Sequence, residues 1–361
     1  MKLAILGTVG VPARYGGFET LAENLVRYAG SHADRPEALT VYCSARAYPA
    51  RPARFLGARL RYSRLNANGA QSIPYDIVSA LSAAIRGHDT LLILGVSGAV
   101  VIPLLRAITR CRIVTNVDGI EWRRDKWQGL ARRILRWSEA LAVRFSHDVV
   151  ADNQGIADYL AETYGVTAAV IAYGGDHALD AASLPAQPEQ DLPLDYALAL
   201  CRIEPENNVE MILEAFDATD RPLVFVGNWS NSDYGRELRA RFADRPGLRL
   251  LDPVYEARPL YQLRVKAALY VHGHSAGGTN PSLVEMMHFG IPVLAYGCAF
   301  NRHSTEGKAR YFQSAVDLAD LVRSINPEDA AKIGFNMREI AQLEYTWDKI
   351  GKAYFKILDR T

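Results

Sequence analysis

Short runs of hydrophobic residues alternate along the chain with longer segments in which apolar residues recur every three or four positions. Runs of the first kind predict buried β-strands, and segments of the second kind predict helices. Strands that alternate with helices are typical of a parallel sheet with helices on both faces. In the first half we predict strands at 3–7, 39–43, 60–63, 90–94, 112–116 and 148–151, and helices at 18–29, 75–85, 100–109, 128–145 and 156–164.

The same alternation resumes in the second half of the chain. We predict strands at 196–200, 223–226, 248–251, 269–272 and 292–295, and helices at 209–216, 234–242, 257–266 and from Pro281. Between the halves, Tyr173 to Asp176 and an Ala/Pro-rich run to Pro193 have linker composition. The pattern therefore predicts two doubly wound domains, which we expect to face each other across a cleft. A last helix at about 345–358 can pack on either of them.

Bulk properties agree with this division and exclude several classes of protein. A chain of 361 residues is long enough for two ordinary domains. A formal net charge of +1 argues against a nucleic-acid-binding protein. The four cysteines, Cys43, Cys111, Cys201 and Cys298, lack zinc-site spacing, so we expect reduced cysteines in a cytoplasmic protein. The first apolar run is too short for a signal peptide, and no run approaches the about 18 to 20 residues of a membrane span.

The stretch at 271–297 has the strongest indication of a binding site. It predicts a strand, a loop of small and polar residues, and a helix with Asn280 as N-cap and Pro281 in the first turn. Free N–H groups at such a helix start favour an anion such as a phosphate. Glu285 follows roughly one turn later. The competing interpretation is an ordinary helix start with a Ser282/Glu285 capping box. The loop and helix start place these candidates together: His274, Gly277, Gly278, Thr279 and Asn280.

The loop at 7–20, after the first strand, is rich in glycine. Gly10, Gly16 and Gly17 would let the backbone approach a phosphate or a sugar. The loop does not match the dinucleotide fingerprint or a P-loop, which argues against a nicotinamide oxidoreductase. The alternative is a flexible turn, with Glu19 in the first turn of the next helix.

Asp118 follows the strand at 112–116, where its carboxylate can accept a sugar hydroxyl or stabilise positive charge. The alternative is an Asx-turn in which Asp118 binds its own backbone. Basic residues with Trp and Leu at helical spacing come next, which suits an anionic membrane surface or a pyrophosphate-linked acceptor. A solvated basic face explains them equally well. These basic residues include Arg123, Arg124, Lys126, Arg132 and Arg133.

Two further strand ends carry polar side chains. Arg202 leaves the strand at 196–200, with Asn207 at the following helix start, and offers a fork of donors to a diphosphate. Asn228 ends the strand at 223–226 and can approach a base or a ribose. Both segments can also be simple turns.

Taken together, five segments resemble glycosyltransferase family 4, of the GT-B fold, and more narrowly the bacterial rhamnosyltransferases of capsule, O-antigen and exopolysaccharide synthesis. They are GTVGVPARYGGFET, VDGIEW, CRIEPENN, GNW and HGHSAGGTNPSLVE. The resemblance implies an acceptor-binding Rossmann-like domain at 1–172, a nucleotide-sugar-binding one at 173–340, and a helix in 341–361 that crosses back to the first. It also implies retention of configuration, no metal ion and no other cofactor.

The resemblance assigns roles to the residues that match the family's motifs. Glu285 would hold the donor ribose, and Arg202 would neutralise the leaving diphosphate. Backbone N–H groups of Gly278, Thr279 and Asn280 would support the same charge. We expect Asp118, Arg202 and Glu285 to be catalytic.

Three positions depart from the family pattern. Gly277 stands where the family usually has a first Glu, with His274 as the candidate replacement, and Asn207 stands in place of a Lys. Asp118 stands where many relatives have a His that contacts the donor's 6-hydroxyl. A 6-deoxy sugar lacks that hydroxyl, so these changes favour rhamnose over glucose or mannose.

The sequence thus predicts a hexosyltransferase that moves L-rhamnose from dTDP-rhamnose onto a lipid-linked or oligosaccharide acceptor. We expect it in the cytoplasm, at the inner face of the membrane through peripheral contact. The alternatives are a non-catalytic sugar-nucleotide-binding protein, an epimerase of the same fold, or a transferase that uses a UDP- or GDP-linked sugar.

Overall fold

The computed structural model describes residues 1–13, 16–32, 36–117, 119–120, 122, 129–185 and 191–360. The chain forms two compact units: unit 1 is Met1–Tyr173 with Trp347–Thr361, and unit 2 is Gly174–Thr346. The sequence predicts domain boundaries after residues 172 and 340, whereas the structure divides the chain after Tyr173 and Thr346. None of the described helices is both long enough and apolar enough to cross a membrane.

Unit 1 is built on an eight-stranded sheet with the order β3-β4-β2-β1-β5-β6-β7-β8. The strands are β1 Lys2–Leu6, β2 Ala38–Ser44, β3 Arg54–Phe55, β4 Ala58–Ser63, β5 Thr90–Leu94, β6 Arg112–Val117, β7 Asp148–Ala151 and β8 Ala169–Val170. All neighbours are parallel except the short pair β3 and β4. The chain reverses its direction of travel across the sheet between β1 and β5, which makes their carboxyl ends a topological switch point.

The central strands of this sheet lie in the interior of unit 1. β5 is buried along its whole length, as expected for a parallel strand covered on both faces. The turn after β1 requires Gly7, whose φ is +81° and where a Cβ would lie 2.0 Å from the carbonyl oxygen of Leu94. The described helices between these strands are α1 Gly17–Ser31, α2 Ser72–Ile85, α3 Ile102–Ile108, α4 Gly129–Phe145 and α5 Gln154–Tyr164.

Unit 2 is built on a six-stranded parallel sheet with the order β11-β10-β9-β12-β13-β14. The strands are β9 Ala197–Leu200, β10 Leu223–Val226, β11 Leu248–Leu251, β12 Leu269–His272, β13 Val293–Tyr296 and β14 Arg310–Phe312. β9 pairs with β12 in a register that places Ala199 opposite Val271. The switch point of this sheet therefore lies at the carboxyl ends of β9 and β12.

Aromatic side chains pack among aliphatic ones in the core of unit 2. Phe225 and Trp229 are fully buried and meet edge to face, with ring centroids 5.2 Å apart. The helices are α6 Val209–Asp217, α7 Asp233–Phe242, α8 Ala257–Val265, α9 Pro281–Met287, α10 Ala299–Ser304, α11 Ala315–Ser324 and α12 Pro327–Glu344. The elements from α10 to α12, including β14, were not predicted.

The last helix, α13 Trp347–Leu358, belongs to unit 1 and packs on α1. Gly351 allows this approach, since a Cβ there would lie 2.3 Å from the ring of Tyr28. Tyr28 also stacks on Phe355 with ring centroids 5.5 Å apart. Asn116 Nδ2 donates a hydrogen bond of 2.5 Å to the Tyr354 hydroxyl, which ties α13 to the end of β6.

Candidate functional site

Two loops meet at the β9/β12 switch point of unit 2, one after each strand. The Ser275 N–H donates to the carbonyl oxygen of Glu206 at 2.9 Å, and Asn208 Nδ2 donates to that of Gly273 at 2.7 Å. The loops are also in direct contact, because a Cβ on Gly273 would lie 2.2 Å from the carbonyl oxygen of Asn207. The segments around Arg202 and His274, which the sequence singled out, are therefore joined into one continuous surface.

Asn207 and His274 lock the two loops together through their side chains. Both are buried. Asn207 Nδ2 donates to the carbonyl oxygen of Arg202 at 2.7 Å, and Asn207 Oδ1 lies 2.7 Å from His274 Nδ1. Because an amide oxygen only accepts, His274 must carry a proton on Nδ1. The amide of Asn207 thus shapes the loop that holds Arg202, and the donor contacts of Asn207 and His274 stay predictions.

Arg202 is held less tightly than the backbone around it. Its side chain is 35% exposed, and its Nη2 lies 3.5 Å from a carboxylate oxygen of Glu204. An ion pair this exposed contributes little to stability, so the guanidinium can leave it for an anionic ligand. The next residue is fixed, since the Ile203 N–H donates to Asn228 Oδ1 at 2.7 Å. Asn228 therefore positions the backbone beside Arg202, and its contact with a nucleotide stays a prediction.

Asn280 is the N-cap of α9, as predicted. Its Oδ1 accepts from the N–H of Ser282 at 3.0 Å and from the Ser282 hydroxyl at 2.8 Å, with Pro281 in the first turn. The alternative of a Ser282/Glu285 capping box is wrong, because the Glu285 side chain pairs with another helix. Gly277 has a φ of +104°, a conformation that favours glycine. The ligand contacts of Gly277, Gly278 and Thr279 stay predictions.

The Glu285 carboxylate lies between two basic side chains, Arg264 and His177, that the sequence did not identify. The guanidinium of Arg264, in the last turn of α8, donates to Oε2, and His177 Nε2 lies 3.4 Å from Oε1. Burial raises the pKa of Glu285, but the charges and hydrogen bonds of Arg264 and His177 outweigh it and lower the pKa to about 2. Glu285 is therefore an ionised acceptor at every physiological pH, although its side chain is only 13% exposed.

The segment predicted as a linker supplies His177. Residues Asp176–Ser183 form a 3₁₀ helix that packs on α8, where Arg258 donates to the carbonyl oxygens of Ala181 and Ala182 at 3.0 Å. Gly175 crosses the backbone of α9 so closely that a Cβ would lie 2.7 Å from the nitrogen of Glu285. Composition alone could not reveal these contacts, because Ala and Pro are common in linkers and in short helices alike.

The glycine-rich loop of unit 1 is held by carboxylates of α1. Glu19 is buried, and its Oε1 accepts from the Val9 N–H at 2.7 Å and from the Thr8 hydroxyl at 3.0 Å. Burial raises the pKa of Glu19. Gly16, with a φ of +121°, lies directly against this carboxylate. These contacts support the alternative of a structural turn, although a well-ordered one.

The other glycines of this loop have different surroundings. Gly10 has a φ of +133°, and a Cβ there would lie 2.6 Å from Cys43 Sγ. Gly17 begins α1. The nucleotide or sugar contacts of Gly10, Gly16 and Gly17 stay predictions.

A second buried carboxyl group, which the sequence did not single out, lies at the β1/β5 switch point of unit 1. Asp76 of α2 accepts a hydrogen bond from the Ser97 hydroxyl, in the loop after β5. Burial raises the pKa of Asp76 to about 7, although hydrogen bonds from Ser97 and the Gly98 N–H lower it. Gly98 is required here, since a Cβ would lie 2.2 Å from that of Asp76. Within the described residues, no Lys or Arg forms an ion pair with Asp76.

Several predicted residues lie outside the described part of the chain, namely Asp118, Arg123, Arg124 and Lys126. Arg132 and Arg133 are described, and both are exposed on α4. The guanidinium carbon of Arg132 lies 5.4 Å from the centroid of the Trp122 ring. Leu130 and Trp137 of the same helix are exposed hydrophobic residues. Over the described residues, no group of three or more His, Cys, Asp or Glu side chains is placed to hold a metal ion.

Comparisons with known proteins identify the fold. Residues 1–176 match the model of a family described as a domain of unknown function (DUF1972). A search of curated proteins finds no match. Among solved structures, sucrose-phosphate synthase from Thermosynechococcus elongatus has a TM-score of 0.76 and 16% identity, covering 99% of this chain and 98% of that one.

Two further solved structures cover similar lengths. HepE from Anabaena, in complex with UDP and glucose, has a TM-score of 0.73 and 16% identity, over 99% of both chains. A glycosyltransferase from Rickettsia africae ESF-5 has a TM-score of 0.74 and 14% identity, over 99% of this chain and 98% of that one. At these identities the likeness shows the fold alone. The chain has the GT-B fold, with two Rossmann-like parallel-sheet domains, and the predicted fold class is confirmed.

Proposed function

We propose that this protein is a hexosyltransferase that transfers L-rhamnose from dTDP-rhamnose, with retention of configuration, to a lipid-linked or oligosaccharide acceptor of surface polysaccharide synthesis. The observation on which the proposal rests is the construction of the β9/β12 switch point. There a half-buried arginine, Arg202, stands on two interlocked loops, and the helix that follows them carries Glu285 as a permanent carboxylate. The GT-B fold of the chain supports the same assignment.

In this proposal Glu285 binds the ribose of the donor nucleotide. A carboxylate accepts hydrogen bonds on both oxygens, and charge-assisted bonds of this kind are stronger than neutral ones. A pKa of about 2 keeps the group ionised throughout the physiological range. The ribose contact would therefore not depend on pH.

Arg202 stabilises the diphosphate as it leaves. The bond from the sugar's anomeric carbon to the diphosphate oxygen breaks, and negative charge develops on the leaving diphosphate. The acceptor hydroxyl bonds to the same face of the anomeric carbon and passes its proton to the departing diphosphate oxygen. The Arg202 guanidinium, together with backbone N–H groups of Gly278, Thr279 and Asn280, meets that charge. Arg202 and these N–H groups would replace the metal ion that other phosphate sites use, so the proposed reaction is metal-independent and needs no further cofactor.

The choice of rhamnose rests on the positions that depart from the family 4 pattern. Gly277 provides no carboxylate for hydroxyls of the donor sugar, and its φ of +104° suits glycine rather than glutamate. Asp118 stands in place of a His that would contact a 6-hydroxyl. A 6-deoxy sugar lacks the 6-hydroxyl and does not need the second of these contacts, whereas His274 is the candidate partner for the hydroxyls that the missing glutamate would bind. A UDP-linked hexose is the second candidate donor, because HepE has been solved with UDP-glucose.

We assign acceptor binding to unit 1. We assign the protein's contact with the membrane to α4. Arg132 and Arg133 are exposed there beside the exposed Leu130 and Trp137. Cationic and apolar side chains on one helix suit a peripheral contact with anionic lipid headgroups. These side chains support the proposal that the enzyme works in the cytoplasm, at the inner face of the membrane.

Calorimetric titration of the purified protein with dTDP-rhamnose, UDP-glucose and GDP-mannose, with and without EDTA, tests the proposal. Preferential binding of dTDP-rhamnose that EDTA does not alter would support donor and metal independence together. Preferential binding of UDP-glucose would keep the transferase and change its donor. Failure to bind any of the three would contradict the proposal and favour a degenerate binding protein.

A further inference from the structure

Arg264 is an arginine that the fold buries against a single carboxylate. It lies in the last turn of α8 with its side chain 6% exposed, and its Nη2 donates to Glu285 Oε2. In the described part of the chain, Glu285 is the one carboxylate within ion-pair distance of Arg264. The Nε–H of Arg264 is buried without a hydrogen-bond partner among the described residues. The position is thus not optimised for the arginine, since an unpaired buried donor is unfavourable.

Stability alone is a weak explanation for such a pair. Removing two charges from water is costly, and hydrophobic residues of the same volume often replace a buried ion pair without loss of stability. A pair that leaves one donor unsatisfied is less favourable still. The arrangement does, however, fix the place and the charge of the Glu285 carboxylate.

The other titratable groups around Glu285 provide no permanent positive charge. Burial lowers the pKa of His288, and burial raises the pKa of Tyr270. The His177 imidazole contacts Oε1 and is charged only when protonated. The titratable groups that interact with Glu285 from the neighbouring elements are Arg264, His177, His288 and Tyr270, and Asp176 interacts in turn with His288. Of these five, Arg264 alone is positively charged at every physiological pH.

We infer that Arg264 is a positioning residue of the donor site, which holds Glu285 as an oriented carboxylate for the hydroxyls of the nucleotide's ribose. The inference rests on the proposed function of unit 2. Without Arg264, burial would favour the protonated acid, which presents a donor where the ribose hydroxyl needs an acceptor. Arg264 therefore acts on the donor through Glu285.

The test compares Arg264→Met with Arg264→Lys and with a matched control, Arg258→Met. Arg258 lies on the same helix, is partly buried, and donates to backbone carbonyls rather than to a carboxylate. Donor affinity is measured by calorimetry with dTDP-rhamnose and UDP-glucose at mildly acidic, neutral and mildly alkaline pH. Circular dichroism and thermal unfolding verify that each variant is folded.

We expect Arg264→Met to weaken donor binding at neutral pH by about tenfold or more, as for loss of a hydrogen bond to a charged group. We also expect its affinity to fall further as the pH decreases, because Glu285 then takes up a proton. Arg264→Lys should restore most of the affinity and the flat pH profile. Arg258→Met should keep the wild-type pH profile even if it lowers stability.

The protonation state of Glu285 can be measured without any ligand, so this measurement tests the inference independently of the proposed function. Infrared difference spectra between each protein and the same protein carrying Glu285→Gln report whether Glu285 is a carboxylate or a neutral acid. A neutral acid at mildly acidic pH in Arg264→Met, with a carboxylate in wild type and Arg264→Lys, is the expected result. A carboxylate in all three proteins, or an affinity loss in Arg264→Met with an unchanged pH profile, would overturn the inference. Wild-type protein that binds no nucleotide sugar would instead contradict the proposed function.

Discussion

The two sheets carry buried carboxyl groups beside their switch points, and these groups are in opposite states. In unit 2, Glu285 is paired with Arg264 and His177, which bring its pKa to about 2. In unit 1, Asp76 accepts hydrogen bonds from the neutral donors Ser97 and Gly98, and burial raises its pKa to about 7. Burial acts on both groups in the same direction, so the neighbouring charge decides the protonation state.

This difference suggests different ligands for the two units. A permanent carboxylate near a half-buried arginine suits a nucleotide, which has hydroxyls to donate and a diphosphate to be neutralised. The Asp76 carboxyl group titrates near neutral pH and accepts a hydrogen bond from the Ser97 hydroxyl. Such a pair suits an uncharged, hydroxylated molecule such as a sugar acceptor. The comparison therefore supports the assignment of donor to unit 2 and acceptor to unit 1.

Removal of the unit 2 carboxylate should have the largest effect. Glu285→Ala leaves Arg264 buried and unpaired, so we expect the free energy of unfolding to fall by about 3–5 kcal/mol at neutral pH. Because the folded pKa is lowered, the contribution of Glu285 is present above its unfolded pKa, about 4.3, and is lost as the pH falls toward 2. Chemical denaturation at neutral and acidic pH measures both effects.

The control for this prediction is Glu237→Ala. Glu237 is an exposed glutamate on α7 of the same unit. It should change the unfolding free energy by less than about 0.5 kcal/mol. Equal effects of the two substitutions would show that Glu285 is not a paired, buried charge.

Arg202→Ala should lower the rate of transfer with little change in stability. Loss of one charge-stabilising donor at a developing anion raises the activation free energy by about 2.7–4 kcal/mol. Release of dTDP in the presence of acceptor measures the rate. Arg236→Ala, which removes an exposed arginine of α7, should leave the rate unchanged. A wild-type rate in Arg202→Ala would remove Arg202 from the mechanism.

Asp76→Asn should change how the free energy of unfolding depends on pH, which tests the difference between the two carboxyl groups. The folded pKa of Asp76 is raised, so the folded state binds the proton more tightly and wild-type stability falls as the pH rises from about 4 to 7. Asparagine cannot ionise and avoids this loss. We expect the variant to gain on the order of 3 kcal/mol relative to wild type between acidic and mildly alkaline pH. A pH-independent difference between the two unfolding curves would contradict the raised pKa.

The smallest effect is expected at the surface of α4. Replacing both Arg132 and Arg133 by Ala should weaken binding to phosphatidylserine-containing vesicles by about 2 kcal/mol, or about 1 kcal/mol per charge. Vesicle co-sedimentation measures the binding. Arg236→Ala with Arg239→Ala is the matched double change on unit 2. Unchanged sedimentation of the α4 variant would favour a solvated basic face.

The sequence predicted the framework of the site well, because the informative signals there are local. β5, β7, β10, β11 and β12 have the predicted bounds, since each is a short apolar run between polar turns. Once the strands are placed, a parallel sheet brings their carboxyl ends to one edge. The meeting of the 202–208 and 273–280 loops follows from that geometry, and the N-cap at Asn280 follows from the local sequence, in which Pro281 comes next.

The paired charges could not be predicted in the same way. In the hydrophobic pattern of α8, an arginine that is buried looks the same as one that is exposed to solvent. The partner of Arg264, Glu285, is 21 positions away in the sequence. In the sequence, Asp76 resembles a carboxylate on the exposed face of a helix, whereas the structure shows that it is buried and in contact with Ser97. The α12 helix was also missed. Phe335 and Leu343 are hydrophobic but exposed, so the apolar residues of this helix do not recur with a clear helical period.

Hydrogen exchange of the amides, measured by mass spectrometry with and without dTDP-rhamnose, tests the central claim most directly. If unit 2 binds the donor at its switch point, peptides that cover 202–208 and 273–285 should exchange more slowly with the nucleotide sugar, and this protection should be lost in Arg202→Ala. Protection confined to unit 1, or protection in unit 2 away from both loops, would contradict the account.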